Sequence, residues 1–377
     1  MLQSIVTRIM SSSATRQARR AVCLSAMILV AGGLGSAHSD EKFPVQSNDL
    51  AVPDFTFHDG KTVAGLKLHY QTLGTPHRDA TGEIDNAVLL LHGTGGQGSD
   101  FLLPSFAEPM FGAGKPLDAS RYFIIMPDSV GHGTSSKPSD GLRAAFPHYD
   151  YADMVALQHH VVADELGVHK LRLILGTSMG CMHTYVWGVT YPEAARALMA
   201  MACSPFPVAG MNWTWRKGMI DAITSDPAWQ GGNYTAQPAA AMRSISLLTA
   251  IAVSGAPSFA ALYPTQPDVE AMLEKRLAGV VKFVDANDTL YQFSASTGYD
   301  AWASIDQITV PVLWWDSADD FINPPTLPYP QLATARMKNF SYTLLPASAE
   351  TSGHLTFLQA RFFAGDVLDI LKRSGGE

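Results

Sequence analysis

The sequence predicts an α/β protein: a doubly wound, mostly parallel sheet carrying a helical cap insertion. Three observations carry that expectation. Short apolar runs recur along the chain, each long enough for a strand covered on both faces. Segments with helical spacing separate them. Between residues 204 and 300 the alternation stops, and helical patterns replace strands.

The elements follow in order. Residues 41–60 are mixed and polar and are expected to wrap an edge of the fold. Lys67 to Gly74 alternates as an antiparallel strand should. Asn86 to Gly93 and Tyr122 to Asp128 read as buried strands. Tyr151 to Val168 has helical spacing and a glycine near its end. "LRLILG" is the next strand, "CMHTYVWGVTYPE" the helix behind it, Ala197 to Cys203 and Val310 to Asp316 two further strands. The expected organisation is a leader over 1–39, a first core part over 40–203, a cap over 204–300 and a second core part over 301–377.

The leader is read as a secretory signal peptide. Arg16, Arg19 and Arg20 precede an apolar stretch from Ala21 to Ala37 that ends in small residues. Its glycines and short length favour cleavage over a retained membrane span, which implies a periplasmic or secreted protein. The mature chain would keep Cys181 and Cys203, a number that permits one disulfide. Because Cys181 falls on a packed helix, a buried free thiol is expected instead.

Composition narrows the function. With 377 residues, 47% hydrophobic and 16% charged, the chain can bury a large core. The net charge of −8, without a Lys/Arg-rich run after residue 20, excludes nucleic acid as an expected partner. No H-E-x-x-H, C-x-x-C or P-loop occurs, so neither a metal nor a cofactor is expected. His159 and His160 are adjacent on a helix and point different ways, and His183 lies on the packed face behind a strand. All three are read as structural.

The chemistry concentrates in "LILGTSMGC", where an apolar run ends at Ser178 held between Gly176 and Gly180. G-x-S-x-G is the nucleophile-elbow pattern: a tight strand-to-helix turn exposes the serine, and its glycines let helix and strand cross closely. A hydroxyl attacks carbonyl carbon only when a base takes its proton and a third group orients that base. The elbow therefore predicts an acid and then a histidine further along the chain. Asp316, Asp319 and Asp320 follow the strand "PVLWWD"; Asp320 is favoured because Ile322 and Pro324 fit a loop leaving the strand, with Asp319 second and Asp316 third. His354, after a glycine at the last loop-to-helix junction, is the expected base. The reaction also needs N–H donors for an oxyanion. "LLLHGTGG" supplies a loop for them, and the backbone N–H groups of Thr94 and Met179 are the expected pair, with His92 and Gly93 shaping the loop.

These segments resemble the α/β-hydrolase superfamily, and within it the homoserine O-acetyltransferase branch. "YADMVALQHHVVADELGV", "LRLILGTSMG", "ITSDPAWQGGNY", "FVDANDTLYQFSASTGYD" and "DSADDFINPP" carry the similarity, which runs from about Phe55 to the C-terminus. It implies Ser178 as nucleophile, Asp320 as acid and His354 as base, beneath a cap that forms an entrance tunnel. The chain departs from that branch at two places: Gly180 is followed by Cys181-Met182-His183 rather than Gly-Met-Gln, and Ile220 stands where the branch carries an arginine for the amino-acid carboxylate. A secreted enzyme also has no supply of acetyl-CoA. The expected function is therefore serine-dependent acyl transfer to water, as an ester, thioester or amide hydrolase. The alternatives are an O-acyltransferase of the homoserine O-acetyltransferase type and a non-catalytic binding protein on the same scaffold. Expected partners are a small-molecule acyl substrate and, as an assembly to be tested, a second copy in a homodimer. Nucleic acid and stable membrane insertion are not expected.

Overall fold

The computed structural model describes residues 43–375. The expected leader lies outside the described residues, and the localisation drawn from it with it.

The chain forms an eight-stranded sheet in the order β1-β2-β4-β3-β5-β6-β7-β8. The strands are β1 (Val45–Thr56), β2 (Thr62–Leu73), β3 (Ala87–Leu91), β4 (Phe123–Pro127), β5 (Leu173–Thr177), β6 (Leu198–Met201), β7 (Val312–Ser317) and β8 (Phe340–Leu345). β1 and β2 form an antiparallel hairpin, and β2 joins β4 antiparallel. All pairings from β4 through β8 are parallel. This is the doubly wound, mostly parallel sheet that the runs of apolar residues predicted.

β3 to β7 are buried throughout because each lies between two neighbours and under helices on both faces. Alternate residues face opposite ways: Val88, Leu90, Leu173, Leu175 and Met199 join one hydrophobic cluster, Leu89, Leu91, Ile174, Leu198 and Ala200 the other.

Two strands differ from expectation. β1 occupies the stretch expected only to wrap the edge, and β8 was not expected at all. Both are edge strands with one side to solvent, so neither shows a continuous apolar run. Pro53 further disguises β1; it lies opposite Gly65, which takes φ +67° and interrupts the ladder.

The helices in the first half are α1 (Pro104–Met110), α2 (Tyr151–His159, continued as a π-helical turn to Glu165) and α3 (Met179–Thr190). Between β6 and β7 the chain forms α4 (Gly210–Thr224), α5 (Ala239–Val253), α6 (Ala256–Leu262), α7 (Gln266–Phe283) and α8 (Ala286–Ser294). α9 (Tyr329–Arg336) and α10 (Ala364–Arg373) complete the core. Capping residues mark where the cap helices begin: the Thr265 hydroxyl accepts the Asp268 N–H, and the Asp285 carboxylate accepts those of Asn287 and Asp288. The cap is tied to the core at α8, where Asp288 accepts both the N–H and the hydroxyl of Ser139 at 2.8 and 2.6 Å. Burial pushes the Asp288 carboxyl up to about 7.

One expectation is corrected. Cys181 and Cys203 form a disulfide, not a buried free thiol. Cys181 is in the first turn of α3 and Cys203 just past β6, and the two elements pack side by side with Cα atoms 5.9 Å apart. Sequence spacing does not reveal that proximity.

Candidate active site

β5 lies beside the point where the strand order reverses, and in open α/β sheets the crevice at such strand ends is where ligands bind. Ser178 follows β5 directly with φ +54° and ψ −111°, a conformation L-residues avoid. Its N–H donates to Met201 O at 2.8 Å, which anchors the turn to β6. The glycines are required by packing: a Cβ on Gly176 would lie 2.0 Å from Gly180 O, and one on Gly180 2.0 Å from Leu91 O. α3 thus crosses β5 and β3 at backbone contact, and the serine side chain is thrust outward.

The structure brings the three expected side chains together. Ser178 Oγ is 2.7 Å from His354 Nε2, and His354 Nδ1 is 2.7 Å from Asp320 Oδ2. All are more than nine-tenths buried. Asp320 Oδ1 accepts the backbone N–H groups of Ile322 and Asn323, so the loop itself aims Oδ2 at the ring. This explains why Asp320 and not its neighbours reaches the histidine. Asp319 Oδ2 binds Thr351 Oγ1 and Gly353 N instead. Asp316 stays at the end of β7, where burial and the nearby Asp320 charge hold its carboxyl well above the usual range.

Thr94 lines the cavity at Ser178, while Met179 opens α3 immediately behind it. Among the described residues neither N–H is given to an acceptor. His92 braces this loop: Nδ1–H donates to Gly93 O at 2.9 Å, and Nε2 accepts Ser129 N–H at 3.1 Å. That pattern requires the neutral ring, and burial holds it neutral.

A small cavity of about 40 Å³ lies against Ser178, between Phe101, Trp215, Val253, Leu355, Phe357 and Leu358. Asp100 also lines it, a residue that sequence reasoning missed because nothing in its spacing signals the site. Oδ2 accepts the Gln97 N–H at 3.1 Å, and burial pushes the carboxyl up to about 8, so it is a neutral acid near pH 7. Gly96 also lines a larger cavity of about 370 Å³ between the core and the cap, with His132, Lys137, Arg276 and Asp288 among others. Over the acid loop, Arg216 Nε donates to Asn212 Oδ1 at 2.9 Å; Asn212 then binds Asn323, whose amide donates to Ala202 O. Ile220, one turn on, packs half-buried in the cap.

The other histidines are structural in their contacts. His183 is fully buried with Nδ1 against Gln158 at 3.0 Å, His159 stacks on Tyr191, and His160 pairs with Asp164. Among the described residues one group, His58, Asp150 and Asp153, has metal-ligand spacing. Its carboxylates already accept the backbone N–H groups of His58, Asp150 and Asp153 as a helix cap.

A family model described as the alpha/beta hydrolase fold matches residues 86–358 of this chain. The chain is an α/β-hydrolase. A homoserine O-acetyltransferase from Trichormus variabilis is 30% identical over 305 residues, 74% of this α/β-hydrolase and 81% of the relative. Another, from Thermobifida fusca, is 34% identical over 193 residues, 48% of this chain; the match spans about half (49%) of that relative's length. The enzyme is thus homoserine O-acetyltransferase-like. Among solved structures, homoserine O-acetyltransferase from Bacillus anthracis superposes with a TM-score of 0.75 at 20% identity, covering 87% of this chain and 97% of its own. An acetylester hydrolase from Corynebacterium glutamicum gives 0.73 at 19% identity, covering 87% and 96%. At those identities the likeness is one of fold.

Proposed function

We propose that this α/β-hydrolase transfers a short acyl group through an acyl-enzyme on Ser178 to an alcohol acceptor. The observation that carries the reading is the continuous chain Ser178–His354–Asp320, two contacts of 2.7 Å opening on a cavity of about 40 Å³. The apolar side chains around this small cavity suit a short acyl group. Relatives named homoserine O-acetyltransferase support an alcohol as acceptor.

In the first half-reaction His354 Nε2 takes the Ser178 proton while Oγ bonds to the acyl carbon. The oxyanion is assigned to the N–H groups of Thr94 and Met179. Collapse breaks the bond to the leaving group, which departs with the proton from His354. The acceptor then gives its proton to His354 and attacks; the Oγ–acyl bond breaks, and Ser178 regains its hydrogen. Asp320 holds Nδ1 protonated and balances the charged ring.

Water as acceptor is the second reading, and Ile220 favours it: an apolar side chain stands where the branch resemblance implied a carboxylate-binding arginine. Product analysis separates the two. With an acetyl aryl ester, transfer predicts that a hydroxyl-bearing acceptor raises turnover and yields its ester; free acid alone, independent of added alcohol, would establish hydrolysis. Labelling by a fluorophosphonate, absent in Ser178→Ala, tests the acyl-enzyme itself, and an unlabelled wild type would sink both readings. We also propose export from the cytoplasm, supported by the basic-then-apolar leader pattern and by the Cys181–Cys203 bridge, a bond suited to oxidising compartments.

A further inference from the structure

The triad uses Asp320 and leaves Asp319 aside, yet Asp319 is bonded on both oxygens. Oδ2 accepts the Thr351 hydroxyl at 2.8 Å and the Gly353 N–H at 3.1 Å. Oδ1 accepts the Ser317 hydroxyl. The residue before the acid therefore grips the residue before the base.

A third segment closes this clamp, and it belongs to the cap. α5 turns into α6 through a bend of 114° at Ser254–Gly255, which lies against Asp319 and Gly353. A Cβ on Gly255 would fall 2.1 Å from Asp319 Oδ2 and 2.6 Å from Gly353 N. A Cβ on Gly353, which has φ +58°, would fall 2.5 Å from Gly255 N and from the Ser254 carbonyl carbon. The two glycines meet with no space for a methyl group. Val253, the last residue of α5, lines the small cavity beside Ser178.

We infer that Asp319 is a positioning residue for His354, and that the Ser254–Gly255 turn is the seat on which the cap completes that positioning. The inference rests on the acyl-transfer reading for its catalytic meaning. When the cap is seated, acid loop, histidine loop and cap turn lock one another. Without that contact the Gly353 segment lacks one wall, and His354 its fixed distance to Ser178.

The test compares full-chain wild type with Asp319→Ala, Asp319→Asn and Gly255→Ala. Turnover of an acetyl aryl ester is measured alongside the low-field proton resonance of the His354–Asp320 hydrogen bond. A misplacement near 1 Å at a catalytic group lowers rate by about 100-fold, so Asp319→Ala and Gly255→Ala are expected to lose about that much in kcat, with KM changed less than about twofold. Their low-field resonance is expected to broaden or vanish. Asp319→Asn keeps an oxygen for Thr351 and Gly353 and is expected to recover kcat to within about tenfold of wild type. Loss of kcat below about threefold in a folded Asp319→Ala, or an unchanged resonance, overturns the inference. Should Asp319→Ala fail to fold, Thr351→Val removes one bond of the clamp, and an unchanged resonance there overturns it equally. The resonance is read in the resting protein, so an inactive wild type refutes the acyl-transfer reading while the positioning claim is still decided.

Discussion

The two sides of the active site are held by different means. Ser178 is set by backbone alone: a strand end, a strained turn and two glycines in contact with neighbouring carbonyls, all inside the sheet core. Asp320 and His354 are set by hydrogen bonds within and between loops, with the cap pressed against their neighbours Asp319 and Gly353 at Gly255. Ser178 is thus placed wherever the core folds, whereas His354 and Asp320 depend on how three loops meet. One side is rigid by construction, the other conditional.

The largest expected effect breaks the rigid side. In Gly180→Ala the new Cβ would lie 2.0 Å from Leu91 O, a backbone atom that has no room to move, so no folded protein is expected. Circular dichroism and solubility check this, and a folded, active variant would show that the elbow is not fixed by that crossing. Next, Asp320→Asn leaves an oxygen for the Ile322 and Asn323 amides but removes the anion that holds the ring tautomer. A fall in kcat of about 10⁴ is expected with the melting temperature within about 2 °C of wild type. A large stability loss would mean that the conditional side also carries the fold.

A third change sharpens the contrast by loosening the nucleophile side without touching its chemistry. Replacing both Cys181 and Cys203 by alanine opens the loop between them, 22 residues apart in sequence, and is expected to lower stability by about 3 kcal/mol in denaturant titration. Fluorophosphonate labelling is expected to persist at native conditions, since the elbow's own contacts remain. A pH-dependent test concerns Asp100, whose folded value of about 8 lies above its unfolded 3.8. Such a group contributes stability below pH 4 that is lost as pH rises through 8. The melting temperature of Asp100→Asn relative to wild type is therefore expected to rise by about 10 °C between pH 4 and 9. A gap that does not change with pH would show that the carboxyl ionises freely.

The same division explains what the sequence could convey. β3 to β7 were legible because burial on both faces writes a continuous apolar run, and Ser178 because its turn demands glycine at fixed spacing. Asp320 could be ranked above Asp319 and Asp316, since Ile322 and Pro324 describe a loop that turns the carboxylate back. β1 and β8 were hidden by their exposed sides, and Pro53 added a false stop. Asp100, Asp319 and Gly255 carry no local signal: what they do is defined by partners brought together only by folding, as with Asp319 and Gly353, 34 residues apart. The Cys181–Cys203 bridge was missed for the same reason.

Ser178 leaves one last consequence. A non-glycine residue held at φ +54°, ψ −111° retains strain on the order of 1–3 kcal/mol for as long as the chain stays folded. Glycine at that position would relieve it, so an inert Ser178→Gly chain is expected to outlast the active one on heating. A serine at this position therefore costs the fold stability that a glycine would return.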